Sequence, residues 1–232
     1  MLVGHIGAGL LAKRIAPRLN LGVALFAALF ADILLWALVL AGVESVGQPQ
    51  VAGGARFFTF VFPYSHGLVA SIAWTALAAV AGWFLVAPGA GRSARVAGAL
   101  ALAVLSHFVL DLLVHVPDLP LVGGDSARIG LGLWRLMPVA LVLELLLAGV
   151  ALAFYLRSVR PARAKGWIVA GVVAATAALT AAGPYVPGAP PPAAMLAAPS
   201  LATLVVVVAL GFLAEGSARV IVPARELVDP RR

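Results

Sequence analysis

The sequence contains no cysteine, so neither a disulfide framework nor thiolate metal ligation is available, and any metal site must be built from His, Asp and Glu. Charge is nearly as scarce: Asp, Glu, Lys and Arg make up 11% of the 232 residues, where a soluble domain carries about a quarter. That scarcity excludes an ordinary soluble fold. No Gly-rich phosphate loop, serine nucleophile elbow or nucleic-acid motif is present. Nor does a cleavable leader fit, because Leu21–Val43 is longer than a signal h-region and no small-residue cleavage site follows it.

What the chain has instead is hydrophobicity, 63% of its residues, with a mean hydropathy of +1.08. It reads as an all-α integral membrane protein, a polytopic bundle of about six spans. The runs are roughly Leu21–Val43, His66–Ala87, Ala94–His115, Leu133–Tyr155, Trp167–Ala182 and Ser200–Leu213. Turn chemistry separates them at Pro88-Gly89, Gly123-Gly124, Pro161 and the Pro-rich 183–192 segment. Residues 1–220 read as one membrane domain, followed by a basic cytoplasmic tail over 221–232.

The formal charge of +7 does not point to nucleic acid, because the basic residues sit in short clusters beside apolar runs. With the N-terminus in the cytoplasm, thirteen Lys and Arg fall on the inner side, and only Arg56, Arg128 and Arg135 on the outer. The positive-inside rule therefore predicts a multi-pass protein of a bacterial-type inner membrane, with both termini cytoplasmic. Phe57, Phe58, Phe60, Phe62, Tyr64 and Trp134 suit an outer interfacial belt, and Trp83 and Trp167 an inner one. Met1–Ala12 is apolar yet too short to span; it reads either as a re-entrant helix that brings His5 inward or as a helix flat on the surface.

The stretch Leu105–Leu121, LSHFVLDLLVHVPDLPL, carries His107, Asp111 and His115 at steps of four, one polar stripe down a helix. Ionisable groups are costly at that depth and mark function more often than not. Ligands four residues apart can share a metal such as zinc, which accepts imidazole and carboxylate. Three in a row cannot on one straight helix, since the ends are about 12 Å apart. His107 and Asp111 are thus the expected pair. His115 is left for a second metal, a proton relay or substrate phosphate; a hydrogen-bonded polar seam between helices is the plainer alternative.

Asp32 lies among Leu, Ala and Trp and needs a metal, a His partner or a proton. Glu144 raises the same question, with ligation, base chemistry or pairing with Arg135 as its options. His66 stands at the expected start of a helix, and Asp118 is either a turn former or a partner that orients a ligand. Counted along straight helices these groups spread from mid-membrane to the outer rim, which argues against one coordination sphere.

Taken in order, GHIGAGL, FADILLW, YSHGLV and LSHFVLDLLVHVPDLPL resemble the motif series of the YdjM-like family of membrane-bound metal-dependent hydrolases, itself distantly similar to zinc-dependent phospholipase C-type phosphoesterases. The resemblance covers residues 1–121 and implies His5, Asp32, His66, His107 and Asp111 as metal ligands. Two positions depart from it: Leu34 stands where the family has a second acid, and Val61 where it has an earlier His. His115 and Asp118 come in partial exchange. The expectation is a divalent metal, zinc by ligand type, and water attacking a phosphoester of a lipid or lipid-linked substrate in the bilayer, with Asp111, His115 and Asp118 as catalytic candidates. Rival readings are a transporter with an intramembrane His/Asp proton or cation site, a metal-binding protein without catalysis, and a haem or quinone protein using His66 and His107.

Overall fold

The computed structural model describes residues 1–84, 93–188 and 191–215. The predicted turn Pro88-Gly89, the cations Arg92, Arg219, Arg225, Arg231 and Arg232, and the tail over 221–232 lie outside the described residues. Seven helices appear among the described ones: α1 Leu2–Ile15, α2 Leu21–Leu40, α3 Leu68–Phe84, α4 Ala94–Val114, α5 Met137–Val159, α6 Arg163–Ala182 and α7 Ala193–Glu215.

The architecture is an all-α bundle, as the composition predicts. Among the described residues, five helical stretches are long and apolar enough to cross a membrane: Leu21–Leu40, Ala94–Val114, Leu133–Val159, Arg163–Tyr185 and Met195–Glu215. The protein is therefore multi-pass. The remaining predicted span, α3, is apolar but only 17 residues long. It starts after His66 rather than at it.

α1 settles the choice left open for the N-terminal segment, because it is sunk in the bundle and not spread on its surface. Val3, Ile6 and Leu10 are at most 1% exposed and pack with Leu21 and Leu25 of α2, Ala148 and Ala151 of α5, Val169 of α6 and Leu204 of α7. Small residues make this approach feasible. A Cβ on Gly7 would lie 3.2 Å from the Ala148 Cα, closer than nearly all natural contacts. α2 and α4 close a second apolar cluster through Ala24, Ala28, Ala99 and Ala103.

Two loop structures were not read from periodicity. β1 Ser45–Ala52 and β2 Ala55–Val61 form an antiparallel hairpin, in register from Val51↔Arg56 to Ser45↔Val61 with an irregularity between Val46 and Pro49. Its turn is Gly53-Gly54, with φ of 57° and 79°; positive φ at both central residues is what a tight type I′ hairpin turn requires. The phenylalanine cluster read as a membrane belt is mostly this second strand, and Phe57 and Phe62 are buried in the protein. Two short strands, β3 Leu119–Pro120 and β4 Arg128–Ile129, then fold the chain back over the end of α4. Leu131 N–H donates to the Leu112 carbonyl and Gly132 N–H to the His115 carbonyl, satisfying two carbonyls of the α4 terminus.

Lys13 is a further correction. Read as a cation at the membrane surface, it is 4% exposed and its Nζ lies 2.8 Å from Glu215 Oε1. Its other protons go to the carbonyls of Pro17 at 2.7 Å and Leu19 at 2.6 Å. Glu215 also accepts from Leu21 N–H, so this pair fastens α1, the start of α2 and the end of α7 together.

Candidate metal centre

At the opposite end of α1 the buried polar groups of five elements converge. α1 supplies His5, α2 supplies Asp32, the turn before α3 supplies His66, α4 supplies His107 and Asp111, and the segment after α4 supplies His115. All four histidines and Asp111 are at most 4% exposed. The depth spread expected from straight helices does not occur. His66 lies in a turn that dips into the bundle from the hairpin, and α1 enters from the other side.

His115 also defeats the straight-helix argument. α4 ends at Val114, and His115 is its C-cap with extended backbone (φ −62°, ψ 141°). Pro117, two residues on, biases Val116 toward extended backbone and keeps the helix from continuing. Freed from the helix, the imidazole turns back: Nε2 is 3.8 Å from Asp111 Oδ2, while His107 Nε2 is 3.3 Å from that same oxygen.

Each of three histidines is held by an acceptor behind its Nδ1. His107 Nδ1–H donates to the Ala28 carbonyl at 2.8 Å. His115 Nδ1–H donates to Asp118 Oδ1 at 3.0 Å, and Asp118 Oδ2 accepts from Phe60 N–H of the hairpin. His66 Nδ1 meets Ser65 Oγ at 2.8 Å; that hydroxyl spends its one proton on Glu44 Oε2 at 2.7 Å, so it must accept from His66. Glu44 Oε1 takes the backbone N–H groups of Tyr64 and Ser65, so the carboxylate is fixed in turn.

A proton on Nδ1 leaves Nε2 as a bare lone pair. In His66 and His107 the two Nε2 atoms face each other at 3.1 Å, an arrangement that is repulsive between neutral rings and is relieved by a second proton on one ring or by a metal ion between them. Two carboxylates border the same point. His66 Nε2 is 3.6 Å from Asp32 Oδ1 and 3.4 Å from Asp111 Oδ2, and His107 Nε2 is 3.7 Å from Asp32 Oδ1. Donors on a four-coordinate ion with bonds of about 2.0–2.1 Å sit about 3.3 Å apart, and these separations bracket that value.

His5 stands beside this set. Its ring stacks on His107 at 3.6 Å and 9°, and its Nε2 lies 3.0 Å from Asp111 Oδ1. Its Nδ1 is buried with no hydrogen-bond partner, an orphaned donor or acceptor beside the cluster. Donor atoms of His5, Asp32 and His107 lie within 4.8 Å of one another, as do those of His66, His107 and Asp111. Buried His/Asp groups here could hold a metal ion. The Met1 amino group donates to Asp111 Oδ1 at 3.1 Å.

Comparison of the chain with family models, with curated proteins and with solved structures finds no match. The site is therefore read from its own geometry. All five residues that the motif resemblance implies as ligands are gathered, and His115 and Asp118 adjoin them. Glu144 does not pair with Arg135, which is exposed; it is buried beyond Met1, against a cavity. Glu44 and Ser65 escaped sequence reading. Ser65 adjoins His66 in PYSHGLV, a weak signal, but Glu44 is 22 positions away from His66 and reaches it only through the hairpin. Asp32, with 20% of its side chain exposed, is the least enclosed carboxylate, and it lines a cavity of about 360 Å³ together with Met1, Trp36 and Thr203.

Proposed function

We propose that this protein is a membrane-embedded metal-dependent hydrolase that cleaves a phosphoester of a lipid or lipid-linked substrate. One observation carries the metal: His66 and His107, each locked through Nδ1, aim their Nε2 atoms at one point that Asp32 and Asp111 also border. His66, His107, Asp32 and Asp111 are the ligands, with His5 beside them, and zinc is the metal that this nitrogen and oxygen set best suits. A divalent ion there supplies Lewis acidity, polarising a phosphoryl oxygen and making water acidic enough to attack near neutral pH.

The protein's own residues do the rest. His115 Nε2 lies beside Asp111 outside the tightest donor set, placed to take a proton from water, and Asp118 keeps its ring in the tautomer that can do so. Asp32 marks the approach for substrate through the cavity that it lines. The motif series similar to YdjM-like hydrolases supports the same reading. The asymmetry of Lys and Arg supports a cell inner membrane, cytoplasmic termini and a site that opens outward.

Elemental analysis of protein purified without a metal-affinity tag tests this directly. One or more equivalents of a divalent metal are expected in the wild type and none in His107→Ala, together with chelator-sensitive release of head group from phospholipid vesicles. Full metal content in His107→Ala and Asp32→Asn would sink the ligand assignment. Metal-independent, proton-coupled uptake into liposomes would favour a transporter.

A further inference from the structure

A second cavity, of about 570 Å³, lies between β2 and helices α5, α6 and α7. It shares Met1, Leu2, Trp36, Leu179 and Ser200 with the cavity that reaches Asp32, so the two adjoin across these residues beside the candidate metal centre. Its size is that of a small-molecule site, as is its make-up of mostly apolar walls with a few placed polar groups. Phe57, Phe58, Trp134, Met137 and Leu141 form the apolar wall.

The polar groups are the informative part. Glu144 is 3% exposed and its Oε2 has no hydrogen-bond partner. Thr180 Oγ1, from α6 on the other side of the same cavity, is also buried and unpartnered. Two orphaned polar atoms lining a largely apolar space are costly unless something there bonds to them. Arg56 is the cationic side chain among the described lining residues.

We propose that this space is the binding site of a membrane lipid. Its hydrocarbon chain lies along the Phe57, Trp134 and Leu141 wall, a hydroxyl of its polar part bonds to Glu144 and Thr180, and Arg56 meets a further polar oxygen, leaving the phosphoester to face Asp32. This rests on the hydrolase reading in one respect, that the lipid is the substrate whose ester faces Asp32. Walls formed by membrane-crossing helices let a lipid enter sideways without leaving the bilayer.

The test uses the full chain in nanodiscs of phosphatidylethanolamine and phosphatidylglycerol, the latter carrying a photoreactive diazirine in one acyl chain. Residue-level mapping of the adducts is expected to show Phe57, Met137 and Leu179 labelled above Val142 and Leu146, which are on the exposed side of α5 and serve as the bulk-lipid reference. Glu144→Gln and the near-isosteric Thr180→Val are each expected to cut cavity labelling about tenfold, the value of one buried polar contact, and to leave Val142 and Leu146 unchanged. Leu141→Trp, which fills the space, should abolish it, with metal content as in the wild type. Cavity labelling no higher than the reference, or unmoved by all three variants, overturns the site. Cavity labelling that responds to the variants with no ester cleaved supports the site and removes the hydrolase reading. Cleavage at the wild-type rate in a Leu141→Trp protein that has lost labelling overturns the assignment of this lipid as substrate.

Discussion

α1 carries a buried polar cluster at each end, and the two are built on opposite terms. At the Lys13 end every proton is used: an ammonium group with three protons meets the carbonyls of Pro17 and Leu19 and the carboxylate of Glu215. Glu215 Oε1 accepts no hydrogen bond but lies 2.8 Å from the ammonium that neutralises it, and the cluster ties three helices together. At the His5 end the account stays open. Two imidazole Nε2 atoms face each other at 3.1 Å, the His5 Nδ1 has no partner, and two carboxylates crowd the same point. Burial and ion-pair distances are alike in both, so neither separates a structural cluster from a functional one. Following the protons does: the Lys13 ammonium spends all three within its own cluster, whereas the ring nitrogens and carboxylates at the His5 end outnumber the protons available to them.

The sharpest way to break this comparison is to remove a ligand from the open end. His107→Ala or Asp111→Asn should cost more in metal affinity than the about 10–100-fold typical of losing an orienting partner, read as metal content after dialysis. The fold should survive, since the apolar clusters around Leu10, Ala28 and Ala103 also hold α1, α2 and α4 together. At the closed end the reverse is expected. Lys13→Met leaves Glu215 buried without its partner and should destabilise the detergent-solubilised protein by about 3–5 kcal/mol in a denaturation series. The protein that still folds should carry metal as the wild type does. Replacing both, Lys13→Met with Glu215→Leu, should recover most of that loss, because the closed cluster performs no chemistry.

Smaller effects sharpen the boundary of the open site. Glu44→Gln and Asp118→Asn each disturb the acceptor that sets a histidine tautomer, through Ser65 for His66 and directly for His115. Each should lower performance by about 10–100-fold: Glu44→Gln in metal affinity, Asp118→Asn in hydrolysis with metal retained. If Glu44→Gln leaves affinity untouched, the Ser65 link does not orient His66. The smallest effect belongs to the lipid-facing surface, where Val142→Leu should stay within about 0.5 kcal/mol in stability and alter neither metal nor activity.

Part of the site was legible in the chain itself. His107 and Asp111 are one helical turn apart on an apolar helix, and that spacing alone brings their side chains together. Asp32 stands out because an acid amid Leu, Ala and Trp demands an explanation. Glu44 carries no such mark: it follows a helix, precedes a strand and looks like any loop acid. Its role depends on the Gly53-Gly54 turn, which brings β2 back so that Ser65 lands on its carboxylate. That turn was visible as a glycine pair between two β-prone runs, a hairpin signal that the surrounding hydrophobicity hid. Lys13 was misread for a related reason, because its partner Glu215 is 202 residues away and positive charge beside an apolar run looks interfacial.

What the sequence by itself determined is the class of the molecule: long apolar runs cannot be dissolved except in a bilayer or against one another, and a lipid environment leaves the backbone little choice but the helix. It also determined the chemistry on offer, imidazole and carboxylate without thiolate. Only the tertiary structure decided that five elements share one point. Rise along a helix gives depth, but not whether a turn dips, a short helix enters the bundle or a proline frees the last histidine. Those depend on packing between residues distant in the chain, and periodicity carries no record of them.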